Sequence, residues 1–111
     1  MAITAMTGLV PEWFEPEQDE GDVKTRFKLK PLNGMEYLEV VPFIRGQYLV
    51  GDGVKLALAY GLIDWENVID QDGKQVKFNR NNVSLLPPKV LSVISAEIVE
   101  RSTFDTEKAK N

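Results

Sequence analysis

Residues 57–86, ALAYGLIDWENVIDQDGKQVKFNRNNVSLL, constrain this chain more than any other stretch. They run from the apolar end of one helix through an Asp-Gly turn to the start of another, so helices and a hairpin must share one small fold. Asp72-Gly73 reads as a two-residue hairpin turn, because glycine supplies the positive φ that such a turn needs. The flanking runs agree: Trp65, Val68 and Ile69 lead in over residues 62–70, and residues 75–78 lead out with Val76 and Phe78 on one face. Nothing in this stretch looks catalytic, and its wide apolar surface favours binding over chemistry.

A chain of 111 residues holds one compact domain rather than two. Its 43% apolar and 27% charged residues are those of a chain that folds. Cysteine and histidine are both absent. Thiolate and imidazole ligands, cysteine nucleophiles, histidine-assisted serine catalysis and disulfides are therefore excluded, and the expectation is a protein that is not an enzyme and carries no cofactor. A net charge of −4 and a pI near 4.8 argue against nucleic acid as a partner, since phosphate binding needs clustered Lys and Arg. The N-terminus lacks a basic leader, and its apolar run is broken by Thr4, Thr7, Gly8 and Pro11. No stretch approaches the ~20 apolar residues of a membrane span. A soluble, cytoplasmic protein is expected.

The chain divides into an acidic arm over residues 1–22, a globular domain over 23–104 and a polar tail over 105–111. Pro11 and Pro16 interrupt the arm, and six of the eleven residues from Glu12 to Asp22 are acidic, so it is expected to be mobile or laid across a neighbour. Trp13 and Phe14 stand out within it, either as an anchor for docking or as a cover for the domain's own core. Residues 23–32 alternate Val23, Thr25, Phe27 and Leu29 with Lys24, Arg26, Lys28 and Lys30, the period of a half-buried strand that Pro31 ends. Asn33 with Glu36 forms a capping box for a short helix limited by Pro42. The glycines of IRGQYLVGDG mark a turn with a brief extended piece at 47–50. Asp52 then caps a helix over 54–60 that ends at Gly61, and Asn81 or Asn82 caps a helical turn over 83–86. The clearest helix opens at Pro87-Pro88 and runs to Ser102, with Leu91, Ile94, Ile98 and Arg101 in one stripe that Val90, Val93, Ala96 and Val99 widen. The fold class is α+β: a small, mostly helical single domain with one β-hairpin and an N-terminal strand.

The motifs that suggest chemistry fail on spacing. A calcium loop with Gly73 at its sixth position would begin at Val68 and end at Asn79, without the leading carboxylate or the closing Glu. Asp64 and Glu66 flank Trp65 as outward strand positions, and Asp19 and Glu20 lie in a polar run, so neither pair has the burial that acid-base work requires. Gly46, Gly51 and Gly53 lack the spacing and the Lys-Ser/Thr ending of a phosphate loop. Trp65, Phe78 and Tyr60 read as core side chains.

One resemblance emerges from the order of the segments. Phe27-Lys28-Leu29-Lys30-Pro31-Leu32-Asn33-Gly34-Met35-Glu36, then Gly61-Leu62-Ile63-Asp64-Trp65-Glu66-Asn67, then Asp72-Gly73-Lys74 and Phe78, then Leu85-Leu86-Pro87 and a helix with a Glu-Lys-rich tail, resembles the small tail assembly chaperones of long-tailed bacteriophages. The resemblance covers roughly residues 25–111 as a pattern and leaves the acidic arm unplaced. It implies a non-enzymatic role in the host cytoplasm, outside the mature virion, in which the chain binds the tape measure protein and keeps that long helical client soluble. It further implies a longer, frameshifted product whose extension recruits tail tube subunits. The ending Lys108-Ala109-Lys110-Asn111 suits a slippery site and an ordinary polar terminus equally. Helix-in-groove binding of such a client would use the two apolar helices as walls, with Leu56, Tyr60, Leu91, Ile94 and Ile98 as contacts beside Trp13 and Phe14. The same broad faces lead us to expect a homo-oligomer. The competing expectations are a structural subunit of a tail tube or head-tail connector and, from the acidic run at residues 12–22 alone, a small acidic inhibitor or nucleic-acid mimic.

Overall fold

A computed structural model describes residues 2–5, 7–18 and 23–102. The acidic run at 19–22 and the polar tail at 105–111 lie outside the described residues. Among the described residues the architecture is α+β, with three helices and short antiparallel strands around one core.

The sheet begins inside the supposed arm. Strand β1 (Glu12–Phe14) pairs antiparallel with β2 (Arg26–Leu29), which in turn pairs with β5 (Leu62–Glu66), giving the order β1-β2-β5. The boundary of the folded unit thus moves N-terminally by some ten residues. The physical reason is pairing: Phe14 sits opposite Phe27 and shares its inward face, while Arg101 of the last helix donates from Nη1 to the Glu12 carbonyl at 3.2 Å and lies 5.6 Å from the Phe14 ring. Alternation along β2 is as read from sequence, with Phe27 and Leu29 buried and Arg26 and Lys28 turned outward. Val23 is an exception. It precedes the strand and is 67% exposed.

Helix α1 (Gly34–Val40) starts as a capping box: Asn33 accepts the Glu36 N–H at 2.9 Å and Glu36 accepts the Asn33 N–H at 3.0 Å. It passes into a 3-10 turn (Val41–Phe43) and a two-stranded hairpin of β3 (Ile44–Arg45) and β4 (Tyr48–Leu49). Helix α2 (Asp52–Gly61) is capped by Gly51 at φ 53° rather than by Asp52, which lies in the first turn, where its charge suits the helix dipole. Gly61 does not provide a left-handed cap. It is the last helical residue, and a Cβ there would lie 2.6 Å from Ile98 Cγ2 and 3.0 Å from the Lys30 carbonyl oxygen.

Helix α3 (Pro88–Ser102) packs on α2 and buries Ile94 and Ile98 completely in the core that also holds Ala57, Leu58, Leu62, Phe27 and Leu29. Its C-terminus is tied to the β2–α1 connection, since Leu32 N–H donates to Ser102 Oγ at 2.7 Å and that hydroxyl donates to the Ile98 carbonyl at 2.6 Å. Trp65 anchors the sheet side of the core. Its ring meets Phe27 and Phe78 edge-on at 6.2 and 5.1 Å, and its indole N–H donates to the Val76 carbonyl at 2.7 Å.

The hairpin differs from the expectation in two ways. Its loop has three residues, 71–73: Asp70 N–H bonds the Lys74 carbonyl, Gly73 N–H bonds the Asp70 carbonyl, and Gly73 adopts φ 80°. Its strands also stop early, at one bridge between Ile69 and Gln75 and one bond from Val76 N–H to the Val68 carbonyl. The cause is Asn67, a non-glycine residue at φ 62° that turns the chain away after β5. Residues 62–66 therefore pair with β2, and residues 75–78 form no strand. Among the described residues no helix is long and apolar enough to cross a membrane.

Candidate binding groove

A broad concavity follows from that kink. By turning at Asn67, the chain leaves Ile69 exposed while Val68 still packs against the core, and both line the concavity with Val90 and Val93 of α3. Between them runs a groove of about 1140 Å³, with Pro16, Gln18 and Val23 along a third side and Phe27 reaching its floor. Val23, Ile69 and Val93 are 67%, 59% and 40% exposed there, and Val90 and Leu86 extend the apolar lining. Gln18, Thr25, Asn67 and Gln75 supply a neutral polar rim, with Glu17 and Lys89 as its charged members.

The rim is held by its own hydrogen bonds. The Gln18 carboxamide accepts the Thr25 N–H at 2.9 Å and donates to the Thr25 carbonyl at 2.8 Å, continuing the sheet with a side chain. Thr25 Oγ1 donates to the Asn67 carbonyl at 2.6 Å, and Asn67 Nδ2 donates to the Lys24 carbonyl at 3.0 Å. A smaller recess of about 430 Å³ lies between β5 and residues 75–78, where the hairpin strands have parted.

None of the seven residues read from sequence as partner contacts lines the main groove. Ile94 and Ile98 are fully buried, so they belong to the core and offer no partner surface in this fold. This corrects the expectation that Ile94 and Ile98 touch a partner, while their place at a buried seam agrees with the 3.6-residue period: the apolar face is used internally. Leu91, Leu56 and Tyr60 are half-buried against the same core. Trp13 and Phe14 are separated by the pleat. Phe14 packs inward, whereas Trp13 lies on the outer sheet face with Arg26 4.9 Å and Lys28 5.9 Å from its ring centre. Arg101 completes the α3 stripe through its aliphatic stem and guanidinium, which pairs with Glu97 at 2.8 Å and stacks on Phe14.

The groove residues were weakly signalled. Val90 and Val93 widen the stripe, but Val23 reads as an inward strand position and Ile69 only as part of the run that enters the hairpin; the structure leaves both exposed. A second exposed apolar set, Met35, Leu38 and Val41 at 75%, 62% and 41%, follows the outer side of α1. On the opposite flank of that helix the Tyr60 hydroxyl donates to Glu39 at 2.6 Å, and this bond, with a smaller contribution from desolvation and the Glu39 and Glu36 charges, holds the phenol above its usual pKa. Among the described residues no group of three or more acidic side chains is placed to hold a metal ion.

The fold defines a small α+β domain with an apolar groove. Comparison with protein-family models, with curated proteins and with solved structures finds no match.

Proposed function

We propose that this chain is a tail assembly chaperone of a long-tailed bacteriophage, a non-enzymatic protein that binds the tape measure protein in the host cytoplasm and does not stay in the mature virion. The observation that carries the reading is the groove, where Val23, Ile69 and Val93 stand exposed around an apolar trough. Exposed apolar patches of this kind mark interaction sites, and a helical client presents matching stripes. Each side chain that becomes fully buried contributes roughly 1.5–3 kcal/mol, so one groove holds its client weakly. Many copies along one client add their effects through effective concentration. The Met35, Leu38 and Val41 stripe leaves a separate face for homo-oligomer formation, and tail tube subunits are the partners of a longer, frameshifted form.

Co-expression tests the reading. The tape measure protein should remain in the soluble fraction with the wild-type chain and be lost from it with the double variant Ile69→Asp, Val93→Asp. A client equally soluble without this chain, or a purified chain that builds tail-like tubes on its own, would favour the structural-subunit reading instead.

A further inference from the structure

We propose that the hairpin at residues 68–76 is a movable wall of the groove, hinged at Asn67 and latched by the Thr25 hydroxyl. The proposal deepens the groove reading above and rests on it for its functional meaning.

Four observations carry it. The ladder between β2 and β5 ends at Glu66, and the next residue, Asn67, holds φ 62°, a left-handed conformation that asparagine tolerates better than other non-glycine residues and that here is held by tertiary contacts. Those contacts are few. Thr25 Oγ1 donates to the Asn67 carbonyl, and Asn67 Nδ2 donates to the Lys24 carbonyl. Beyond Asn67, the hydrogen bonds of residues 68–75 close within the hairpin, where the Asp70 carboxylate accepts the Asp72 and Lys74 N–H groups at 2.8 and 3.0 Å. The hairpin can therefore turn as a unit without breaking its own bonds. It meets the body through the Trp65 indole bond to the Val76 carbonyl and through Val68 and Val76, which are half-buried against the core and would have to part from it on opening.

This unit carries Val68, Ile69 and Gln75 to the groove, facing Val90 and Val93. Rotation about Asn67 would widen the trough and uncover Trp65, now 5% exposed. Thr25 is a positioning residue: Gln18 binds both its N–H and its carbonyl, so the hydroxyl is aimed from a fixed base.

The test uses the full chain with Trp13→Phe, which leaves Trp65 as the sole tryptophan. Removing one hydrogen bond with Thr25→Val should raise the opening equilibrium roughly fivefold, read as greater acrylamide quenching of Trp65. Thr25→Ser keeps the hydroxyl and should quench like the parent. Asn67→Gly accepts the left-handed backbone, loses the Lys24 contact and should also open. Binding of the dye anilinonaphthalene sulfonate should rise with the quenching and fall back when Val93→Asp is added. Unchanged quenching in both Thr25→Val and Asn67→Gly overturns the hinge, as does a rise that Thr25→Ser shares. Hinge signatures without capture of a tape measure client would retain the movable wall and reject the chaperone.

Discussion

At Gly61 the last turn of α2 comes so close to α3 that a single methyl group decides the packing. A Cβ at this position would sit 2.6 and 2.9 Å from the Cγ2 and Cδ1 atoms of the fully buried Ile98, and 3.0 Å from the Lys30 carbonyl oxygen. Gly61→Ala should destabilise the domain by about 1–3 kcal/mol, measurable by urea denaturation, because neither the backbone oxygen nor a 0%-exposed isoleucine has room to retreat. The helix propensity gained from alanine is smaller than that. Tyr60 supplies a titration test. Its hydrogen bond to Glu39 favours the protonated phenol in the fold, so the stabilisation is full below the unfolded value of about 10 and is lost as pH rises through the higher folded value. An ultraviolet titration of Tyr60→Phe should lack a transition centred above that of an unperturbed tyrosine.

At the scale of elements, α3 presents two apolar faces with different roles. Ile94→Ala should cost about 2–5 kcal/mol in stability, since the side chain is 0% exposed. Val93→Asp, on the groove side at 40% exposure, should leave thermal stability close to wild type while weakening client binding. Local chemistry made α1 and α3 legible from sequence: Asn33 and Glu36 are a capping box whose bonds span only three residues, and Pro87-Pro88 opens a long run without a breaker. Elements fixed by distant contacts were less readable. Residues 75–78 have the composition of a strand, but their partner is taken by β2 once Asn67 is pulled into a left-handed turn by Thr25 and Lys24, more than forty residues away in the chain. Glu12–Phe14 is a short strand among acidic residues, and its membership of the sheet depends on Phe27 and Arg101.

At the scale of the whole molecule, one core joins the inward sheet face to α2 and α3 and leaves the groove where the hairpin parts from the sheet. The breadth of the apolar helix faces suggested surface left over for a partner, yet most of that breadth packs on the molecule's own core. Which apolar residues remained outside was decided by topology: the α3 stripe closed inward, and Val23, Ile69 and Val93 were left around the trough. The central claim, that this trough receives the tape measure protein, is tested most directly by site-specific photocrosslinking in cells making both proteins. A benzophenone amino acid at position 69 should crosslink to the client, whereas the same group at position 38, where Leu38 is 62% exposed against 59% for Ile69, should not. Equal crosslinking from both positions, or crosslinking from position 38 alone, would contradict the account.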